Sequence, residues 1–449
     1  MVDFDRLLQR LQALPRFGSG PGLHRMAALR EALPEDAHGP LPSSIRITGT
    51  NGKGSTAAMV AAVLTELGFE TGLYTSPHFL HWNERIAVDG EPVGEDELAP
   101  ALAWFFEAAE AYGAEHPGDG FSAFEAATAV ALHVYGRLRP DALVVEAGMG
   151  GRLDPTRVFP GDLVGLTSLD LEHTEVLGET LLEIALDKAD LCPDGGVLGV
   201  GRIEADTLRR LKGSVSLRDI EVLSVAGQAV VRVDRVDASG TRFHLRLPPR
   251  AWLPELDWQD LRLALPGAHQ ADNAALAVLL VREWLAAHGP EIGVGILEDA
   301  VRRALPKVRV PGRMEPVGTG DRQVYVDVAH TPEAIRALAA TVGEMFGEVS
   351  PVLLVGVSRG RDPAALLGPL LERADAVVVT RPSVRGAEPD DVARAVRSLA
   401  PEARVEVIED GECARIRAMA WARDLDRPVL VAGSLFLATD VGRASAHPA

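Results

Sequence analysis

The sequence predicts an α/β fold, with a parallel sheet in a larger first domain and a smaller Rossmann-like α/β domain after it. Three observations support this prediction. Short apolar runs of strand length alternate with longer helical patterns along most of the chain. The 449 residues exceed the usual size of a single hydrophobic core. A glycine-rich turn between a strand and a helix lies early in the chain, where it could bind phosphate.

In the first domain, four apolar runs are predicted to be buried strands of a parallel sheet, since both faces of such a strand are covered. They are Arg46–Thr48, Thr71–Thr75, Ala142–Glu146 and Leu163–Thr167. Helical patterns cover Thr56–Leu67, Phe121–Arg137, a stretch that begins near Thr180, and Ala271–His288.

A β-rich segment is predicted at about residues 221–263. Alternating polar and apolar residues on either side of Ala238-Ser239-Gly240 indicate a β-hairpin within Glu221–Leu247. Residues 305–312 then contain two prolines and a glycine, which interrupt regular structure. We therefore place the domain limits at residues 1–305 and 306–449.

The second domain repeats the alternation of strands and helices. Predicted strands are Val324–Val328, Val352–Val357, Ala376–Thr380, Val405–Ile408 and Val429–Ala432. Helices are expected to begin near Pro332, Pro363 and Pro389, because proline is favoured in the first helical turn. The domain has no Gly-x-Gly-x-x-Gly fingerprint, so dinucleotide binding is not predicted.

The glycine-rich turn of the first domain has the composition of a phosphate-binding loop. Gly49, Gly52 and Gly54 allow backbone N–H groups to turn toward an anion, and Lys53 adds a full positive charge. Ser55 offers a hydroxyl to a magnesium ion that accompanies a nucleoside triphosphate. The alternative is a turn without a ligand, and the lysine and the hydroxyl in this context make it the weaker one.

Three further residues follow the expected strand ends or lie on a helix. Glu146 ends an apolar strand before a glycine-rich turn, where a carboxylate faces the ligand crevice and suits magnesium. His173 lies in a polar segment directly after another strand, and a metal ligand, an acid–base group and an ordinary polar residue all stay open. Lys188 lies on the helix that begins near Thr180, where a solvated lysine is the ordinary alternative.

The composition restricts the function further. A formal net charge of −19 argues against general binding to nucleic acids or acidic membranes, so small-molecule partners are expected. The first residues lack the apolar core of a signal peptide, and no uninterrupted apolar span is long enough for a membrane. Only Cys192 and Cys413 occur, which suits a reducing compartment. We expect a cytoplasmic protein, and a monomer.

Eight stretches of the sequence form one ordered set: Thr48–Ser55; Ser76-Pro77-His78 with Glu84-Arg85-Ile86; Glu146–Asp154; Leu171–Gly178; Lys188-Ala189; Leu265–Asn273; Pro311-Gly312-Arg313; and Asp327–Pro332. With these stretches the chain resembles the folylpolyglutamate synthase and dihydrofolate synthase family of the Mur ligase superfamily. The resemblance covers most of the chain. It implies a Mur-ligase-like ATP-binding domain followed by the Rossmann-like ligase domain.

The resemblance also implies roles for individual residues. ATP would be bound by Asn51, Gly52, Lys53, Gly54, Ser55, Asn273, Arg313 and Asp327. Magnesium would be held by Ser55, Ser76, Glu146, His173 and a carbamylated Lys188, with a monovalent cation such as K⁺ as a further candidate. Phe124, Glu125, Leu153 and Asp154 would line the pterin-acid site. Lys53, Lys188 and His330 would be the catalytic residues, with the role of His330 less defined than that of the loop.

The implied reaction is the ATP-dependent addition of L-glutamate to dihydropteroate, to folyl-glutamates, or to both, through an acyl phosphate. The second-domain motif departs from the family pattern at Val328 and Thr331, where glycine and asparagine are usual. Arg361 stands near the position of a usual lysine. A ligase of the same chemistry with a different acid or amino acid therefore stays open, as does a nucleotide-binding ATPase that does not ligate.

Overall fold

The computed structural model describes residues 3–16, 18–250, 254–317 and 323–446. The chain forms two compact units. The first contains the chain up to Arg232 together with His244–Leu261 and Asp272–Val308. The second contains Val233–Phe243, Arg262–Ala271 and the chain from Arg309 onward. The predicted domain limits at residues 305 and 306 stay a prediction.

An eight-stranded sheet forms the centre of the first unit. Its strands are β1 (Ser44–Thr48), β2 (Thr71–Tyr74), β3 (Ile86–Val88), β4 (Glu91–Pro92), β5 (Ala142–Glu146), β6 (Leu163–Leu166), β7 (Val197–Val200) and β8 (Glu221–Ser224). Their spatial order is β4-β3-β2-β5-β1-β6-β7-β8. The strands are parallel except that β3 is antiparallel to both of its neighbours, β2 and β4. All four predicted strands of the first domain are confirmed.

The register of the central strands sets where the loops meet. β1 lies between β5 and β6, with Ile47 opposite Glu146 and Thr48 opposite Leu166. The three strands are parallel and therefore end at the same edge of the sheet. The backbone continues this pairing by one residue on each side, because the Ala147 N–H donates to Ile47 O at 2.9 Å and the Thr167 N–H to Thr48 O at 2.9 Å.

Helices cover the sheet, as its buried strands require. The helices from Phe4 to Ala304 are α1 (Phe4–Gln12), α2 (Leu23–Glu31), α3 (Lys53–Glu66), α4 (Glu95–Glu115), α5 (Ala123–Leu138), α6 (Thr174–Leu177), α7 (Leu181–Ala189), α8 (Ala205–Val215), α9 (Val225–Gln228), α10 (Ala268–His288) and α11 (Val294–Ala304). Short 3₁₀ helices lie at Trp82–Arg85, Pro155–Val158, Ser216–Arg218 and Leu305–Lys307. α5 and α7 begin with complete capping boxes, at Ser122 and Thr180 respectively.

The β-rich segment differs in part from the prediction. The hairpin is formed by β9 (Val230–Asp237) and β10 (Gly240–Leu247), and β11 (Leu256–Leu263) adds a third strand beside β10. The hairpin lies within the predicted range, but Glu221–Ser224 is the edge strand β8 of the large sheet, and α9 separates it from the hairpin. The run Glu221–Ser224 has only four residues, so its pattern does not reveal which sheet it joins.

The second unit contains a six-stranded sheet of order β12-β13-β17-β14-β15-β16. The strands are β12 (Glu315–Val317), β13 (Val324–Val326), β14 (Val352–Val355), β15 (Ala376–Val379), β16 (Arg404–Val407) and β17 (Val429–Ala432). Only β12 is antiparallel to its neighbour. The helices are α12 (Pro332–Phe346), α13 (Pro363–Leu371), α14 (Pro389–Leu399), α15 (Gly411–Leu425) and α16 (Leu435–Ala446).

The second unit confirms the Rossmann-like architecture, and the two sheets together confirm the predicted α/β class. α12, α13 and α14 each begin at the predicted proline, and each has an acidic or hydroxyl residue directly before it. Within the described ranges, no helix combines the length and apolar character needed to cross a membrane.

Candidate active site

Three loops meet at the carboxyl edge of the large sheet, after β1, β5 and β6. We call Gly49–Gly54 the phosphate loop and Gly148–Asp154 the second glycine loop. The segment after β6 holds the phosphate loop from one side. The Thr50 N–H donates to Ser168 O at 2.9 Å, and the Asn51 N–H donates to Ser168 Oγ at 3.0 Å. The Thr167 hydroxyl donates to Asn51 O at 2.6 Å.

The sequence pattern predicts no role for Thr167 and Ser168, which lie at the end of a predicted strand and in the polar segment after it. Their role depends on β6 lying next to β1 in the sheet, which places the polar residues after β6 beside the phosphate loop. Sequence patterns do not give the order of strands in a sheet, so this role becomes visible only in the fold.

Close packing explains the glycines of the phosphate loop. Gly49 has φ +142°, and a Cβ there would lie 1.9 Å from Thr167 Oγ1. Gly52 has φ +84°, and a Cβ there would lie 2.7 Å from Oδ1 of Asn273 on α10. α3 begins at the next residue, one turn earlier than predicted, so its N-terminal end faces the loop. The loop therefore combines positive-φ glycines, a helix N-terminus and a lysine, which is the arrangement that binds phosphate.

Two lysines share one acceptor of this loop. Lys53 Nζ donates to Gly49 O at 3.1 Å and to Thr50 O at 3.2 Å. Lys188 on α7 donates from Nζ to the same Gly49 carbonyl at 2.9 Å. Lys188 is only 3% exposed, so the solvated-lysine alternative is wrong for this side chain. Burial, and then the nearby Lys53 charge, lower the pKa of Lys188 to about 7.

Ser55 and Glu146 lie beside the start of α3. The Ser55 hydroxyl is fully buried and has no hydrogen-bond partner among the described residues. Glu146 is 4% exposed, and its Oε2 accepts from the Ser76 N–H at 3.0 Å. The same Oε2 would lie 3.4 Å from a Cβ at Gly54, so the carboxylate packs directly against the phosphate loop. A buried hydroxyl without a partner and a carboxylate at the same loop fit a hard cation such as magnesium.

His173 is placed differently from Glu146. It adopts φ +53°, directly before the short helix α6, and its ring nitrogens lie 3.8 Å from Glu172 Oε1 and 4.0 Å from Glu175 Oε1. Across the described ranges, no three His, Cys, Asp or Glu side chains are grouped so that they could hold a metal ion. A metal at this loop would therefore depend on hydroxyl, carbonyl or modified-lysine oxygens besides Glu146.

Two predicted acid-site residues lie at the start of α5. Phe124 stacks on Tyr74 with ring centroids 6.3 Å apart, and its Cε1 would lie 2.5 Å from a Cβ at Gly148. Glu125 is 3% exposed and accepts from the Ser122 N–H at 2.8 Å and from Arg25 Nε at 2.9 Å. The Glu125 carboxylate is thus held by internal partners, whereas Phe124 packs on the second glycine loop.

The other two acid-site residues end the second glycine loop. Leu153 is 42% exposed. Asp154 is 2% exposed and accepts from the N–H groups of Met149 and Thr156, each at 2.9 Å, and from the Thr156 hydroxyl at 2.5 Å. Burial raises the pKa of Asp154, and these hydrogen bonds act in the opposite direction. Asp154 thus closes the loop, and Leu153 is presented to solvent.

In the second unit, Asp327 contacts the residue that follows Arg313 and the residue that precedes His330. Asp327 is 8% exposed, and its two oxygens accept from the Met314 N–H at 3.0 Å and the Ala329 N–H at 2.8 Å. Burial raises the pKa of Asp327, and the Arg313 charge opposes the rise. His330 is exposed, and its Nδ1 lies 2.9 Å from Val328 O.

The two motif departures have structural explanations within the second unit. Val328 does not adopt a positive φ, so the position does not require glycine. Thr331 is the N-cap of α12, and its hydroxyl accepts from the Ala334 N–H at 3.2 Å. Asparagine and threonine both serve as N-caps, so the cap is preserved. Arg361 is exposed in the segment before α13.

Comparisons with known proteins agree with this arrangement. Residues 312–435 match the family model described as Mur ligase, glutamate ligase domain. The dihydrofolate synthase/folylpolyglutamate synthase of Bacillus subtilis is 32% identical, over 74% of this chain and 74% of its own. A probable bifunctional folylpolyglutamate synthase/dihydropteroate synthase of Halobacterium salinarum is 35% identical over 96% of this chain. The chain spans 50% of the length of that relative.

A solved structure extends the similarity to the whole fold. The structure of Mycobacterium tuberculosis folylpolyglutamate synthase complexed with ADP and AMPPCP aligns with a TM-score of 0.85 and 28% identity. The alignment covers 99% of both chains.

Proposed function

The chain belongs to the dihydrofolate synthase/folylpolyglutamate synthase family, and from this premise we propose that it is an ATP-dependent ligase. In the proposed reaction it joins L-glutamate to dihydropteroate, to folyl-glutamates, or to both. The observation that carries the proposal is the phosphate loop, where α3, Lys53 and two positive-φ glycines would surround a bound anion. ATP, L-glutamate and the pterin acid are the proposed small-molecule partners.

The phosphoryl transfer would proceed in the first unit. An oxygen of the substrate carboxylate attacks the γ-phosphorus of ATP, and the bond from that phosphorus to the bridging oxygen of ADP breaks. Lys53 and the N-terminus of α3 would neutralise charge on the transferred group. The amine of glutamate then attacks the acyl carbon, phosphate leaves, and the nitrogen loses a proton. Neither step needs a nucleophile from the protein.

Magnesium fits the residues at the start of α3. Ser55 and Glu146 would hold it, since one is a buried hydroxyl without a partner among the described residues and the other a buried carboxylate at the loop. Ser76 and His173 stay proposed ligands. When bound, magnesium supplies charge neutralisation on the transferred phosphoryl group.

Lys188 would complete this site as a carbamate. Its ammonium group first loses one proton, and the neutral amine then attacks carbon dioxide. An N–C bond forms as a C=O π bond opens to a carboxylate, and a second proton is released, so that a cation becomes an anion. The surroundings support the change, because burial and Lys53 both disfavour a second ammonium group at this point. The carbamate would remove the repulsion between the two lysines and offer oxygens toward a cation.

Some of the remaining predicted residues would contact the substrates, and others would hold the loops of the site in place. Phe124 and Leu153 would contact the pterin acid, while Glu125 and Asp154 would act through the loops that they hold. Asn273, Arg313 and Asp327 are proposed for the nucleotide, and His330 for the amine proton. The two widely separated cysteines, buried Cys192 and exposed Cys413, are both free, which supports the expected reducing, cytoplasmic location.

A substrate panel tests the proposal. ADP release would be measured with ATP and magnesium while dihydropteroate, tetrahydrofolate and unrelated acids are each paired with L-glutamate and other amino acids. The expected result is ADP release that requires both a pterin acid and glutamate, with one amide formed for each ADP. ADP release that is indifferent to both would contradict the ligase and support the non-ligating ATPase. Release with another acid or amino acid would identify a ligase of different specificity.

A further inference from the structure

The last turn of α7 is attached to both glycine-containing loops of the candidate site. Lys188 Nζ donates to Gly49 O of the phosphate loop at 2.9 Å. Its neighbour Asp187 contacts the second glycine loop, because Oδ1 accepts from the Gly151 N–H at 3.0 Å and the Asp187 carbonyl accepts from the Arg152 N–H at 3.0 Å. Two consecutive residues of one helix thus hold two different loops.

The glycines of the second loop are matched to this contact. A Cβ at Gly151 would lie 2.4 Å from Lys188 O and 2.7 Å from Asp187 O. A Cβ at Gly150 would lie 2.3 Å from Asp187 Oδ1. Both glycines are therefore needed because the loop backbone lies directly on α7.

Helix stability alone does not account for an aspartate at position 187. α7 ends at Ala189, so Asp187 lies in the last turn, where the helix dipole disfavours a negative charge. Its side chain is 12% exposed and also lies 3.6 Å from Arg152 Nε. The charge of Asp187 is therefore unfavourable for its own helix, and its carboxylate bonds to the neighbouring loop instead.

We propose that Asp187 is a positioning residue, which holds the second glycine loop at a fixed place relative to the phosphate loop. The inference rests on the proposed function, since Leu153 of this loop is the proposed contact of the acid. The loop is tied to β1 as well, because the Thr48 hydroxyl donates to Gly150 O at 2.7 Å. Loss of the Asp187 contact would let the loop shift at its Gly151 end, and the acid carboxylate would meet the γ-phosphate less often.

The test compares Asp187→Ala with Asp187→Asn in the full-length protein. For Asp187→Ala, the KM for the pterin acid should rise about tenfold, because a charge-assisted hydrogen bond to the loop is lost. ADP affinity, measured by calorimetry, should stay within about twofold, because Asp187 does not touch the phosphate loop. Asp187→Asn keeps an acceptor for the Gly151 N–H, so it should restore most of the acid KM.

Asp190→Ala is the matched control at the C-cap of the same helix. Asp190 Oδ1 pairs with Arg218 Nη1 at 2.7 Å, so this variant loses an ion pair at the end of α7 without touching either loop. Its acid KM should equal that of the wild type. An equal rise in both variants, an unchanged acid KM in Asp187→Ala, or a comparable loss of ADP affinity would overturn the positioning role.

Amide hydrogen exchange separates this inference from the proposed function. In Asp187→Ala, the peptide that covers the second glycine loop should exchange faster than in the wild type, whatever acid the enzyme uses. If the wild type ligates no pterin acid but exchange still rises, the proposed substrate fails and the positioning role stands. Unchanged exchange would overturn the positioning role even in a fully active ligase.

Discussion

The buried amine of Lys188 should react with carbon dioxide near neutral pH. Its pKa of about 7 follows from burial and from the charge of Lys53. At pH 8 a lysine with this pKa is about 90% neutral, whereas an ordinary lysine of pKa ~10.4 is ~0.4% neutral. Only the neutral amine forms a carbamate, so Lys188 has roughly a 200-fold advantage over a solvated lysine in the reactive fraction.

Carbon-13 NMR with labelled bicarbonate measures this reaction directly. The chain has four lysines, Lys53, Lys188, Lys212 and Lys307, so a carbamate resonance can be assigned by substitution. One resonance is expected at pH 8, and it should be absent in Lys188→Met. Lowering the pH to 6 at constant dissolved carbon dioxide should reduce it by at least tenfold, because the neutral fraction of the amine falls about tenfold and the proton that carbamate formation releases opposes the reaction further.

Two control variants test whether the resonance depends on a buried lysine and on the neighbouring charge of Lys53. Lys307→Met should leave the resonance unchanged, because that side chain is 68% exposed and pairs with Glu66 at 2.5 Å. Lys53→Ala should weaken the resonance at pH 7, because removal of the neighbouring charge raises the pKa of Lys188. No resonance at pH 8, or a resonance that survives in Lys188→Met, would refute the assignment.

Three further predictions concern the phosphate loop and the helices that cover the sheet. Lys53→Ala should lower ADP release at least ~100-fold, since a charge on the transferred phosphoryl group is lost, while circular dichroism stays unchanged; near-normal turnover would remove the loop from the mechanism. Gly49→Ala should weaken ADP binding in calorimetry by about tenfold or more, because its Cβ would meet Thr167 Oγ1 at 1.9 Å, and an unchanged affinity would contradict this packing. His133 is 3% exposed, and burial lowers its pKa to about 4. Protonation of His133 therefore favours the unfolded chain below pH ~6.5. In urea unfolding, the free energy of unfolding of the wild type should fall by about 2 kcal/mol more than that of His133→Phe between pH 7 and 5. Parallel pH profiles of the two proteins would exclude this cause.

The sequence was sufficient for the strands that carry the site but not for their arrangement. β1, β5 and β6 are short apolar runs that end in a glycine, a carboxylate and a polar segment, so their type and approximate limits followed from pattern alone. Their order in the sheet did not. β1 lies between β5 and β6, and this order alone brings Thr167 and Ser168 to the phosphate loop.

Long-range partners explain most of what the sequence could not give for individual residues. Glu125 pairs with Arg25, which is 100 positions earlier, and Lys188 reaches Gly49, which is 139 positions earlier. A glutamate or lysine in a helical pattern is usually solvated, and only the packing shows that these side chains are buried. Prediction of the metal ligands is limited in the same way. The motif identifies Ser55 as a candidate ligand, but it does not show that the Ser55 hydroxyl is buried and lacks a hydrogen-bond partner among the described residues.

The contacts of Asp327 explain how the second-unit motif can vary in sequence and keep its shape. The carboxylate joins the segment of Arg313 to that of His330 through the backbone N–H groups of Met314 and Ala329. Every amino acid except proline supplies such a group, so the joint sets no demand on the side chains around it. The side chains between Asp327 and α12 can therefore differ while the carboxylate still joins the segments of Arg313 and His330.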